Sequence, residues 1–173
     1  SRENPSGNVV ALIAGDGALY IRGDAADNVI SIQQNAAGDI AIFGRNGTTV
    51  NGQSAVYMGR GFVTGVSVVS DAGNDLIEIM GLRTNGGIGV LAGDENDSVA
   101  MYGVQAGWVS LVMQGGDDIV VTDAVVTGQA VIDGGAGFDT IDFRNFGINT
   151  PFLSLPNMDR GVSTPTPPPQ MSI

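Results

Sequence analysis

The chain has no cysteine, no histidine and no lysine, and all seven of its basic residues are arginines. Without cysteine there are no disulfides, no thiolate metal sites and no sulfur nucleophile. Without histidine there is no imidazole base, no Ser-His-Asp triad and no imidazole metal site. Without lysine there is no Schiff base, no P-loop and no lysine-linked isopeptide bond. Positive charge is scarce as well: 18 acidic residues leave a net charge of −11. That sign opposes nucleic acid and anionic membrane surfaces, and it suits cation binding and solubility. No run of eighteen apolar residues is present, so nothing reads as a membrane-spanning helix.

Glycine is abundant, 27 of 173 residues. Glycine is entropically expensive to fix, so clusters of it need a conformational reason. The stretch "DGGAGFDTIDF", residues 133–143, sets three glycines between two aspartates and then alternates polar with apolar residues. It reads as a tight turn feeding a strand that buries every second side chain, with Ile141 and Phe143 as anchors.

This stretch has relatives along the chain: "DAGNDLIEI" from Asp71, "GDENDSVAM" from Gly93 and "MQGGDDIVV" from Met113. Aligning the last turn aspartate of each places Asp75, Asp97, Asp118 and Asp139 at intervals of 22, 21 and 21 residues. A weaker member, "RGDAADNVISI", puts Asp27 48 residues before Asp75. A second strand-like run precedes each turn, as in "VTGVSVVS", "GGIGVLAG", "GWVSLVMQ" and "GQAVIDGG". Two to three short strands per 21-residue unit predict an all-β fold, a parallel β-solenoid whose coils stack about 4.8 Å apart. Residues 1–146 form the solenoid, with regular coils over about 63–146 and a looser N-terminal part. In that part Asn46–Gly47, between two strand-like runs, predicts an inserted hairpin. Trp108 and Tyr102 fall in repeat columns and read as core or face packing, and Met80, Met101 and Met113 as core filler.

Stacking puts Asp75, Asp97, Asp118 and Asp139 in one column, each about 5 Å from the next. Two bare carboxylates at that distance repel by about 0.8 kcal/mol in water, or about 3 kcal/mol at an effective dielectric near 20. Asp71, Asp94, Asp117 and Asp133 sit in the same turns and are expected to add to the repulsion. An oxygen-seeking cation would relieve it, and calcium accepts carboxylates and backbone carbonyls in flexible geometry. The other reading of these turns is solvated aspartates that bond their own backbone as Asx-turns. All eight aspartates are therefore candidate metal ligands, with calcium as the expected ion.

At these residues the chain resembles the haemolysin-type calcium-binding (RTX) repeat and related bacterial β-solenoid surface proteins. The family nonapeptide G-G-x-G-x-D-x-U-x, with U a large apolar residue, is matched completely by Gly134–Asp142. The Asp75 turn has Ala72 where a glycine is expected, and the Asp97 turn has Glu95. The resemblance spans roughly residues 17–143 and implies calcium in the turns. It also implies a departure: the family's rolls carry two tandem nonapeptides per turn, whereas here one turn per 21 residues carries the motif.

Neither end of the repeat reads as a capping helix. "NVVALIAG", residues 8–15, is almost continuously apolar, as expected of a strand buried on both faces. After Phe146 the repeat stops, and residues 147–173 read as a Pro-rich tail containing "TPTPPP". An unpaired strand edge invites strand addition. The tail, or the apolar first strand, is expected to dock on the next copy and join subunits into a homopolymer. The start at Ser1 without a methionine reads as a processed secreted protein. Asn46–Gly47–Thr48 is a glycosylation sequon worth testing.

No constellation of catalytic residues emerges, so no enzyme is expected. The function expected is an extracellular or cell-surface structural filament, stiffened by calcium, with copies of itself as partner and surface or matrix polysaccharide as a further contact. The alternatives are a calcium-binding module of a larger secreted adhesin or toxin-like protein, and a β-helix enzyme acting on acidic polysaccharide.

Overall fold

The computed structural model describes residues 7–144 and 152–164, and everything below concerns those residues. The fold is a β-solenoid without helix, built from two eight-stranded sheets and a two-stranded third side. Strands of the regular coils follow one another around the stack. The first coil holds β2 (Leu19–Arg22) and β3 (Val29–Gln34). The second holds β7 (Val66–Val69) and β8 (Leu76–Met80), and the third holds β9 (Gly87–Asp94), β10 (Ser98–Tyr102) and β11 (Gln105–Ala106). Next come β12 (Trp108–Gly115), β13 (Ile119–Thr122) and β14 (Val125–Val126), then β15 (Gln129–Asp133) and β16 (Thr140–Arg144). Finally β17 (Phe152–Ser154) and β18 (Arg160–Thr164) add one strand to each large sheet.

Between coils every strand pairs in parallel with its equivalent, and the register equates Leu76, Ser98, Ile119 and Thr140. Alternation in each strand sends every second side chain inward, so like positions pile into columns. Val66, Ile88, Val109 and Ala130 form one such column, and Ile77, Val99, Val120 and Ile141 face it from the other sheet. Leu82, Val104 and Ala124 close the third side. Burying each large aliphatic side chain contributes about 1.5–3 kcal/mol, and this continuous core holds the coils together. Met101 and Met113 belong to it, but Met80 does not: it stands on the outer face of its sheet. Trp108 is also outside, its indole lying against Gly87, where a Cβ would collide with the ring.

The N-terminal end departs from the expected looser coils. β1 (Asn8–Ile13) pairs antiparallel with β2, and β4 (Asp39–Gly44) pairs antiparallel with β3. β6 (Ala55–Arg60) pairs antiparallel with β4, and the two-residue β5 (Thr49–Val50) lies beside β1. Asn46 and Gly47 do turn, with φ of 51° and 85°, but they do not close a hairpin. They carry the chain from β4 in one sheet to β5 in the other, and the hairpin partner of β4 is β3, joined through Ala36–Gly38. The first strand is not buried on both faces either. Val9 and Ala11 point into the core while Val10, Leu12 and Ile13 are exposed, because β1 covers the core with one face only. On one edge of β1 residues 10–13 pair with β2, and on the other Asn8 and Val9 pair with β5.

The segment expected as a tail from residue 147 is partly solenoid, since residues 152–164 supply β17 and β18. The proline run from Pro165 lies outside the described residues.

Candidate functional site

The corner between the two large sheets is built from residues 70–75 and their equivalents, and two features of it follow from backbone geometry. Two columns of residues hold positive φ. One runs through Asp71, Gly93, Gln114 and Gly135, at 73°, 117°, 75° and 86°. The other runs through Gly73, Glu95, Gly116 and Gly137, at 111°, 83°, 132° and 135°. The corner turns too sharply for right-handed backbone, so glycine is the favoured residue. Close stacking adds a second demand: a Cβ on Gly93 would run into the Asp71 carbonyl oxygen, and one on Gly137 into that of Gly116. These two requirements explain the glycines of the repeated turn.

Two residues beyond the second column stands the aspartate of each coil. Asp75, Asp97, Asp118 and Asp139 do form a column, but it faces inward: each is at most 2% exposed. They are not solvated turn residues. Each Oδ1 accepts the backbone N–H of the equivalent residue one coil earlier. Asp75 N–H donates to Asp97 at 2.8 Å, Asp97 to Asp118 at 2.7 Å and Asp118 to Asp139 at 2.9 Å. The ladder begins at Asn28, whose N–H donates to Asp75 Oδ1 at 2.7 Å. It ends at Asp159, whose carboxylate takes the Asp139 N–H at 2.9 Å.

These bonds satisfy half of each carboxylate. The Oδ2 atoms of Asp75, Asp97, Asp118 and Asp139 are buried and have no hydrogen-bond partner. Burial pushes the Asp75 carboxyl up to about 6, the Asp97 carboxyl to about 7 and the Asp118 carboxyl to about 6, and it also raises Asp139. The backbone N–H donors work against burial, and neighbouring carboxylates in the column reinforce it. Near neutral pH the corner is thus a row of buried acid groups that gain from a proton or another positive charge on Oδ2.

The other four expected ligands do not join this column, nor do they stack on one another. Asp71 stands in register with Gly93 and pairs with Arg22 at 3.3 Å. Asp94 is flanked by Ala72 and Gly115, and Asp133 lies beside Val112. Asp117 belongs to a second, exposed ladder: its N–H donates to Asn96 Oδ1 at 2.8 Å, and its own Oδ1 accepts from Phe138 at 2.8 Å. That ladder starts at Asp27, which accepts the Asn74 N–H at 2.8 Å. Asp27 is therefore equivalent to Asn74, and it is Asn28 that occupies the buried position. Register keeps these four carboxylates from stacking on one another, and of the four it is Asp117 whose charge adds to the rise of the Asp118 and Asp139 carboxyls. Among the described residues, no three acidic side chains converge on a point where a metal ion could sit.

Asn28 and Asp159 are the ladder members that the repeated motif does not mark. A signal for Asp159 exists: Asn157, two residues earlier, has φ of 55°, as Gly137 precedes Asp139 with φ of 135°. Asparagine tolerates the left-handed region better than most residues, so "NMD" can replace "GFD". Comparison with known protein families, with curated proteins and with solved structures finds no match to this chain.

Proposed function

We propose that this chain is an extracellular structural protein, a short β-solenoid rod whose aspartate corner is neutralised by calcium and which assembles with further copies of itself. The observation that carries this reading is the form of the acid column. Its four partnerless Oδ2 atoms run along the stacking axis, one per coil, instead of gathering at a point. A reaction centre needs groups that converge on one substrate atom, whereas a column shared by every coil acts on the rod as a whole. Calcium enters through charge, not through a preformed cage, and backbone carbonyls and water would have to complete its six to eight ligands, about the usual number. The RTX-like resemblance of Gly134–Asp142 points to the same ion.

Assembly is supported by an asymmetry of the two ends. Antiparallel strands close the N-terminal end, where β5 has only two residues and β4 meets β6 across a register shift. β17 and β18 extend the parallel pattern at the other end. The same asymmetry favours a second reading, a calcium-dependent module within a larger secreted adhesin or toxin-like protein, with the cap as its terminus.

Sedimentation velocity of the protein in millimolar calcium, and again after chelation, tests both. Large species that shrink on chelation are expected for the calcium-dependent polymer. Large species indifferent to chelation would remove calcium from the function, and a monomer in both conditions would remove self-assembly and leave the module.

A further inference from the structure

The segment that breaks the repeat, residues 34–60, builds something the regular coils do not. On the outer face of the second sheet, register sets Tyr57 beside Ala41, Ala41 beside Gln33, and Gln33 beside Met80. Large side chains thus stand on either side of a small one. One row over, Phe43 lies beside Ser31, whose side chain is fully covered. The result is a groove of about 750 Å³ with Ala41 and Phe43 of β4 in its wall, Tyr57 on one side and Met80 on the other. That volume falls inside the range of about 300–1,000 Å³ of small-ligand sites.

The polar groups of the groove are fixed before any ligand arrives. Asp39 accepts from Arg60 Nε at 2.8 Å, Tyr57 Oη at 3.0 Å and Asn35 Nδ2 at 3.1 Å. The Arg60 guanidinium beside it holds the Asp39 carboxyl down at about 2, with Asn35 and Tyr57 assisting, so it stays ionised through the neutral range. Gln33 donates to Ser31 Oγ at 3.0 Å, which fixes its amide plane. Asp39 and Arg60 cancel each other's charge, and no other charged residue lines the groove. In a chain of net charge −11 this is a neutral, concave surface that combines one exposed aromatic ring, Tyr57, with amide and carboxylate groups.

We propose that this groove binds a neutral saccharide chain. Tyr57, 64% exposed, offers a flat apolar face to pyranose C–H groups, and half-buried Phe43, with the Arg45 guanidinium 5.9 Å over its ring, borders it. Gln33, Asn35 and the Asp39–Arg60 pair offer donors and acceptors to hydroxyls. Within the lining a charged sugar meets no free counter-ion, since Arg60 is held by Asp39 and Arg45 lies over the Phe43 ring. A purely apolar ligand would leave that ion pair desolvated. The inference stands apart from the filament and calcium readings: it uses none of their residues.

Affinity electrophoresis and calorimetry with maltohexaose, cellohexaose, xylohexaose and polygalacturonate, on the intact chain in chelator, test it. At least one neutral oligosaccharide is expected to bind, and polygalacturonate is not. Tyr57→Ala and Asp39→Asn should each weaken binding about fivefold or more. Ala41→Trp should abolish it by filling the groove, while removing nothing the fold uses. Trp108→Ala, on the opposite sheet, should leave it unchanged. Circular dichroism confirms that each variant is folded. No binding by any neutral oligosaccharide, or binding that survives Ala41→Trp, or loss of binding in Trp108→Ala, overturns the assignment.

Discussion

Replacing Asp97 by asparagine should stabilise the protein at pH 8 and destabilise it at pH 4. Asp97 is an inner rung of the buried column, 1% exposed, with Oδ1 bonded to the Asp75 N–H and Oδ2 bonded to nothing. Burial raises its carboxyl from 3.8 to about 7. A folded-state value above the unfolded one means that the acid form is favoured by folding. The associated stability is fully present below about pH 4 and is lost as pH rises through about 7. That rise corresponds to about 4 kcal/mol between the two protonation states. Asparagine keeps the Oδ1 acceptor and removes the charge; Asn28 stands at the first rung with its Oδ1 accepting the Asp24 N–H and its amide donating to Asp24 Oδ1. Its amide N–H groups bring a cost of about 1–3 kcal/mol if they find no acceptor. The net gain at pH 8 in chelator is therefore about 1–3 kcal/mol, or about 5 °C in Tm for a chain of this length. Thermal unfolding of both proteins at pH 4, 6 and 8 measures the gap. Millimolar calcium should narrow it at pH 8 by raising the wild type alone. A variant that is less stable than wild type at pH 8, or a wild type whose stability rises between pH 5 and 8, would refute the account of the corner as a row of unneutralised acids.

The left-handed columns give further tests. Glu95→Gly and Gln114→Gly, at φ of 83° and 75°, should each add about 1 kcal/mol of stability, read as a higher urea midpoint, since both side chains are exposed and their equivalents in neighbouring coils are glycine. Gly93→Ala should cost more than about 2 kcal/mol in the same assay, because its Cβ would strike the Asp71 carbonyl and separate two coils. Gly87→Ala should lift the Trp108 indole from the sheet and shift the emission of the chain's single tryptophan to the red.

The repeat was legible because it is written in short-range rules. Alternation in "VTGVSVVS" or "DLIEI" marks a strand from a few residues, and spacings of 21 and 22 mark stacking without any knowledge of the third dimension. Those two signals determined the all-β solenoid, its coil length and the column of Asp75, Asp97, Asp118 and Asp139. The tertiary structure decided where that column faces. An aspartate in a Gly-rich turn looks the same whether it points to water or to the core, and two left-handed corner residues, one residue apart, send it inward. Tertiary structure also separated Asp71, Asp94, Asp117 and Asp133 into four unrelated columns, because a shift of one or two residues within the corner changes which side chains stack. It placed Asn28 and Asp159 at the ends of the ladder although neither carries the motif. Finally it folded residues 34–60 back as antiparallel strands. The turn signals there were visible, but which strand each turn would join depends on contacts with β1 and β3, and these exist only once the first coil has closed.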